Sequence, residues 1–270
     1  MKLTRAWWWF VFIVGFLYFF LPLLGTFLFS LGNPLGAVGA PPSLEFYGNV
    51  LAGPDSGFWT HLAYSFVIGS ITIVVSIGLL LPTAFWVRLR VPKARPFVEF
   101  ITLLPFVVPP IVLVFGLIST FSHPPLPFTY TDIGSSALLT FAYVVLSFPY
   151  MYRAIDTGLQ SIDVQSLTEA AQSLGASWPR IIVQVILPNV RVALLSGAFL
   201  TLAIVVGEFT IATFLARPAF GPYLSLLGQT KAYEPAAASI ISFALTWMAM
   251  ILIAFIGRGS RTRVAVTGAR

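Results

Sequence analysis

Residues 153–191 read RAIDTGLQSIDVQSLTEAAQSLGASWPRIIVQVILPNVR, a polar, patterned stretch set between long apolar runs. Two residues can start a helix here. Asp163 can cap one, or Ser166 can, since Ser166-Leu167-Thr168-Glu169 has capping-box spacing. Val164, Leu167, Ala170, Ala171 and Leu174 recur at helical spacing and predict one apolar stripe. Gly175 supplies the left-handed residue that commonly ends a helix. Ser177-Trp178-Pro179 opens a second helical stretch, carrying Ile181, Ile182, Val185 and Ile186 toward Pro188. The spacing predicts a helix, a glycine turn and another helix. It leaves open whether this pair only joins two spans or also receives a partner.

The flanks decide the solvent. The 270 residues are 58% hydrophobic and 9% charged, too few charges to cover a water-soluble domain of this size. A helix crosses the hydrocarbon core with about 20 apolar residues. Six runs fit: roughly Trp7–Leu31, Leu62–Val87, Phe97–Phe121, Ser135–Tyr152, Val192–Leu215 and Ala236–Gly257. The expected fold is therefore all-α and integral to the membrane, with six transmembrane helices. Pro22, Pro82 and Pro105 are tolerable inside such helices, and Pro109–Pro110 is expected to kink or interrupt the third. Met1–Arg5 is basic, as ahead of a secretory signal, but the apolar run behind it outlasts the usual 7–15 residues or so. It is expected to be a retained span, and the small residues at Ala37–Ala40 resemble a cleavage site only weakly. The chain divides into residues 1–61 (first helix and external segment), 62–257 (a five-helix core containing the loop) and 258–270 (a tail).

The charges orient the spans. With six crossings, Lys2 and Arg5, then Arg88, Arg90, Lys93 and Arg95, share one side with Arg153, Arg180 and Arg191. Arg258, Arg261, Arg263 and Arg270 join them. The other side receives Arg217 and Lys231 with Glu45, Asp55, Asp132 and Glu234. The positive-inside rule makes both termini, and the 153–191 loop, cytoplasmic. Topology accounts for the net charge of +6 better than nucleic acid does, since no basic face is interleaved with stacking aromatics. The chain has no cysteine, and His61 and His123 flank separate apolar runs, so no metal centre is expected. No catalytic constellation gathers in any one region.

Glu169-Ala170-Ala171, Gly175 six positions after the glutamate, and Leu187-Pro188 resemble the EAA loop of permease subunits of binding-protein-dependent ABC importers. Gly158-Leu159 and Ile162-Asp163 are similar to the family's approach to that loop, while Val185 stands where the family usually has isoleucine. The resemblance covers about Leu62 to Gly257. It implies a type I importer whose coupling helix docks in a cleft of a separate ATPase. Glu169, Ala170, Ala171, Leu174, Gly175 and Ala176 would form the docking element, with Trp178 as a packing anchor. For Glu169, helix capping and a cross-interface ion pair both stay open. The implied partners are two ATPase copies, a second permease subunit (identical or homologous), an extracytoplasmic substrate-binding protein and the lipid of a prokaryotic plasma membrane. ATP and magnesium would belong to the ATPase, and this chain has no G-x-x-x-x-G-K-[ST] to hold them. Arg217, Lys231, Glu234 and Glu45 fall on the outer face, where solvated surface is the simplest role.

Glu208 is the one acid well inside a predicted span. Burying it costs several kcal/mol or so, which points to a cavity or a partner helix. Thr201, two turns earlier, is expected on the same helix face, and Thr210 follows closely. Glu208, Thr201 and Thr210 are therefore candidates for a pathway lining that attracts a cation, against a purely structural hydrogen bond. Chain length and Gly207-Glu208-Phe209-Thr210 are most similar to the polyamine subgroup, which makes spermidine or putrescine the expected cargo. Permeases for ferric iron, thiamine, phosphonate, sulfate and molybdate compete. An ATP-independent secondary transporter or channel is the other class. It would need coupling-ion ligands or an inverted repeat, and neither is evident.

Overall fold

Lipid offers the backbone no hydrogen-bond partners, so an apolar run that crosses it must satisfy its own amides. The computed structural model describes residues 2–32, 42–52 and 57–258, and among these there are helices and no strand. In order they are α1 (Lys2–Ser30), α2 (Glu45–Ala52), α3 (Phe58–Arg90), α4 (Arg95–Val107), α5 (Pro110–Phe121), α6 (Asp132–Gln160), α7 (Val164–Ser173), α8 (Trp178–Gly207), α9 (Thr210–Phe214), α10 (Phe220–Thr230) and α11 (Glu234–Arg258). Helices α1, α3, α6, α8 and α11 are long and apolar enough to span a membrane. Helices α4 and α5 are long and apolar enough only as a pair, bent by 95°, which makes the count six if the pair is one broken span and five if it is a re-entrant loop. That break has a local cause. Pro109 and Pro110 donate no N–H, and Val108 before them is extended (φ −88°, ψ 115°).

Two spans differ from their hydropathy boundaries. Helix α6 covers 29 residues, well beyond Ser135–Tyr152, because its last turns carry Arg153 and Asp156 out of the apolar zone without leaving the helix. Helix α8 begins at Trp178, so the stretch read as a second loop helix is the base of a span. Residues Ile181–Ile186 form a π-helical segment in which Leu187 N–H reaches back to Ile182 O. This widened turn carries the chain into Pro188, which has no N–H to donate. At its far end α8 stops at Gly207, so the expected span Val192–Leu215 is interrupted.

Helices α3, α6 and α8 form the centre. Small residues set their spacing: a Cβ on Gly158 would lie 2.7 Å from Ala193 Cβ, and one on Gly197 would lie 2.8 Å from Met151 Sδ. Hydroxyl pairs link α3 to α6, Ser76 to Ser147 and Tyr64 to Ser136, each at 2.8 Å. Helix α4 lies along α6, and α1 rests on α11 with Phe29 against Tyr233. At the end opposite α7, Arg217 is a brace and not free surface. Its guanidinium donates to Asp132 Oδ1 at 2.7 Å and to Asp132 O at 3.1 Å. Glu234 is likewise buried, whereas Glu45 and Lys231 are exposed. Ala37–Ala40, Asp55, Arg261, Arg263 and Arg270 lie outside the described residues.

Candidate functional site

The loop helix is held at both ends by local chemistry. Asp163 is its cap: Oδ2 accepts the Ser166 hydroxyl at 2.6 Å and Oδ1 accepts Ser166 N–H at 3.1 Å. These bonds, the hydroxyl's first, hold the Asp163 carboxyl below the usual aspartate value. Of the two possible starts, the helix uses Asp163 and not Ser166. At the other end Gly175 is left-handed (φ +77°). Ala176 N–H bonds Ala171 O at 3.0 Å and Gly175 N–H bonds Gln172 O at 2.8 Å, the paired closure of a Schellman turn.

The apolar stripe expected on α7 is split. Val164, Thr168 and Ala171 face inward, Leu167 is half-buried, and Ala170 and Leu174 point outward, with Leu174 88% exposed. Thr168 can turn inward because its hydroxyl donates to Val164 O at 2.6 Å. Glu169 caps nothing. It is exposed and accepts from Gln165 Nε2 at 2.9 Å. Glu169, Ala170, Leu174 and Gly175 thus share the outer surface, with Ala176 half-buried behind them. Trp178 packs on the end of α3, its ring 4.7 Å from Trp86 and 6.3 Å from Phe85, with the Arg90 guanidinium 5.6 Å from its centroid.

The second locus lies within the bundle. Past the end of α8, Glu208 is extended (φ −74°, ψ 129°). Its Oε1 accepts Ile211 N–H at 2.8 Å, and its Oε2 accepts Ala212 N–H at 3.2 Å and the Tyr143 hydroxyl at 2.9 Å. The carboxylate therefore caps α9 and ties it to α6 through a buried tyrosine. Glu208 also lines a cleft of about 570 Å³ with residues 105–110, Leu146, Tyr150, Ala203, Ile204 and Gly207. Thr201 does not share this lining. It is fully buried and donates to Gly197 O at 2.9 Å. Thr201 and Glu208 do not share a helix face, because the helix ends between them. Thr210, half-buried at the first position of α9, also lies outside that lining. Tyr143 and Tyr150 were not singled out from sequence, where they read as ordinary span aromatics. The Pro105–Pro109–Pro110 cluster was the one signal of a cleft wall.

The histidines are locally engaged. His61 Nδ1 lies 2.6 Å from Gly57 O with its ring stacked on Tyr223, and His123 Nδ1 lies 3.3 Å from Ser119 O. Among the described residues, no group of three or more metal-ligating side chains forms.

Comparison with known proteins places this architecture. The molybdenum transport system permease ModB of Escherichia coli is 28% identical over 232 residues, covering 79% of this chain and 98% of ModB. A probable ABC transporter permease of Sinorhizobium fredii is 28% identical over 244 residues, covering 86% of this chain and 42% of that protein. The chain thus spans less than half the length of that relative. A solved bacterial ABC transporter involved in import of the acidic polysaccharide alginate superposes with a TM-score of 0.68 at 15% identity, covering 95% of this chain and 97% of that one. A bacterial alginate ABC transporter in complex with an alginate-pentasaccharide-bound periplasmic protein gives 0.64 at 12% identity, covering 99% and 98%. At those identities the likeness is one of fold. Residues 75–262, well over half the chain, match the family model of the binding-protein-dependent transport system inner membrane component, and the chain belongs to that family of ABC-importer permeases.

Proposed function

We propose that this permease couples to a separate ATPase through the outer surface of α7 and passes a small oxyanion. The observation that carries the coupling is the exposed Leu174-Gly175 tip on a helix capped at both ends. A largely exposed leucine beside small residues on a rigid support is apolar surface that a partner's cleft could cover. In this reading Glu169, Ala170, Ala171, Leu174, Gly175 and Ala176 form the docking element and Trp178 transmits its movement to α3. The α7 end and both termini are cytoplasmic in this reading, in keeping with the basic residues gathered there. Two ATPases hold ATP and magnesium, a second permease subunit completes the pathway in a bacterial inner membrane, and a binding protein delivers cargo to the opposite face. Residues 1–61 serve as a peripheral helix and outer segment, residues 62–257 as the moving core and residues 258–270 as a tail. ATP-driven closure of the ATPases swings α7 and exchanges inward-facing for outward-facing access.

The polyamine expectation came from chain length and the Gly207-Glu208-Phe209-Thr210 stretch, with Glu208 as a site that could attract a cation. Its two oxygens already accept three hydrogen bonds, which gives the carboxylate a structural role that needs no cation. ModB, which this chain covers nearly end to end, is a molybdenum transport permease, and an oxyanion cargo agrees with that. The chain has no native cysteine, so Ser173→Cys on α7 and Ala232→Cys at the opposite end test the coupling directly. Co-expressed with the ATPase of the same operon, Ser173→Cys is expected to cross-link in an ATP-dependent way and Ala232→Cys is not. Cross-linking from Ala232 alone would sink the proposal.

A further inference from the structure

Three clefts run together along one face of α4, α6 and α8. The cleft at Glu208 shares Phe106 and Tyr150 with a second of about 570 Å³. The second shares Leu103, Pro149, Arg153 and Thr157 with a third of about 390 Å³, which reaches Arg95, Glu99 and Asp156. The three clefts adjoin through these side chains and follow one another as a segmented groove from the α8–α9 break toward the α7 end of the bundle.

Its charges are unequally satisfied. Arg95 donates to Glu99 Oε1 and to Asp156 Oδ2, both at 2.8 Å, and Gln160 adds a bond to Asp156 at 2.6 Å. Glu208 accepts three hydrogen bonds from its own chain. Arg153 is exposed, and among the described residues no acid lies within ion-pair distance of it. It stands at the waist where the apolar and polar clefts meet, and Thr157, one helical turn on, is exposed beside it. Membrane topology explains why a basic residue is found at this end of the bundle. It does not explain why this one lines the groove.

We propose that Arg153 is a specificity-determining residue of the translocation groove, favouring small oxyanions over cations as cargo passes along α4, α6 and α8. This rests on the importer reading above and takes the groove as its translocation path. A guanidinium offers a planar fork of donors that matches an oxyanion. Beside Leu103, Phe106 and Pro149 its field is less screened than it would be in open water.

Thiol labelling of the purified full-length chain tests the groove without its partners. Thr157→Cys would be reacted with a sulfonate-bearing and a trimethylammonium-bearing methanethiosulfonate, with Arg153 intact, as Arg153→Lys and as Arg153→Gln. The ratio of the two rates is expected to fall about fivefold in Arg153→Gln and to hold in Arg153→Lys. An unchanged ratio in Arg153→Gln overturns the proposal. In proteoliposomes carrying the ATPase and binding protein, Arg153→Gln should lower ATP-driven molybdate uptake about tenfold while putrescine gains no advantage from Arg153. Molybdate uptake at the wild-type rate in Arg153→Gln would also overturn it. Loss of the Ser173 cross-link with the labelling ratio still responsive would sink the coupling reading and leave the groove's selectivity standing.

Discussion

Asp163 and Glu208 perform the same task in two solvents. Each carboxylate accepts backbone N–H groups at the start of a helix, Asp163 for α7 and Glu208 for α9. Asp163 is exposed, and water stands ready to replace it. Glu208 sits half-buried within the bundle and also holds the buried Tyr143 hydroxyl. Capping geometry is local, but what its loss costs depends on whether water can take the vacated place. The same difference governs legibility. A capping residue next to a polar stretch announces a helix start, whereas one inside an apolar run reads as a buried charge in an unbroken span.

Removing the inner cap should have the largest effect. Glu208→Ala leaves Ile211 N–H, Ala212 N–H and the Tyr143 hydroxyl without their acceptor, and is expected to destabilise the chain by about 3 kcal/mol or more. Glu208→Gln keeps one acceptor oxygen and should fall between Glu208→Ala and wild type. Unfolding midpoints in detergent would show this order, and equal midpoints for all three would end the capping interpretation. Gly175→Ala is next, at about 1 kcal/mol. Nothing lies within 4 Å of the added Cβ, so the cost is the left-handed backbone alone. A neutral result in the same unfolding measurement would mean that the turn re-forms with another geometry. The outer cap should respond least and through pH. The folded Asp163 carboxyl is depressed, so its contribution is present above the unfolded value of about 4 and is lost as pH falls through the lower folded value. The amide chemical shift of Ser166 should therefore titrate below about pH 4, and that transition should vanish in Asp163→Asn. A Ser166 shift that titrates only with global unfolding would erase the contrast between the caps.

Thr201, the α7 stripe and Arg217 depart from their expected places for one physical reason. Thr201 and Glu208 fall two turns apart on an ideal helix, yet Thr201 bonds Gly197 O in the core while Glu208 has left the helix. The α7 stripe joined Ala170 and Leu174 to Val164 by spacing, but its buried face is completed by Thr168, whose hydroxyl is satisfied by its own helix. Arg217 reads as solvated loop surface, yet it braces the start of α6 through Asp132. In each case the decisive partner belongs to another element or to the conformation of the chain nearby, and neither appears in a hydropathy window.

What the sequence determined by itself is what covalent structure and solvent impose within a few residues. The scarcity of charge chose lipid, about 20 apolar residues per run marked the candidate crossings, prolines without N–H groups broke the third run, and Gly175 ended α7. Only the tertiary structure decided where α8 starts and stops, which donors take up the Glu208 carboxylate, and that Arg153 lines a groove shared by α4, α6 and α8. A missing N–H or a left-handed residue acts wherever it stands. Whether a buried donor is satisfied, or a charge left free, depends on which helix the fold brings against it.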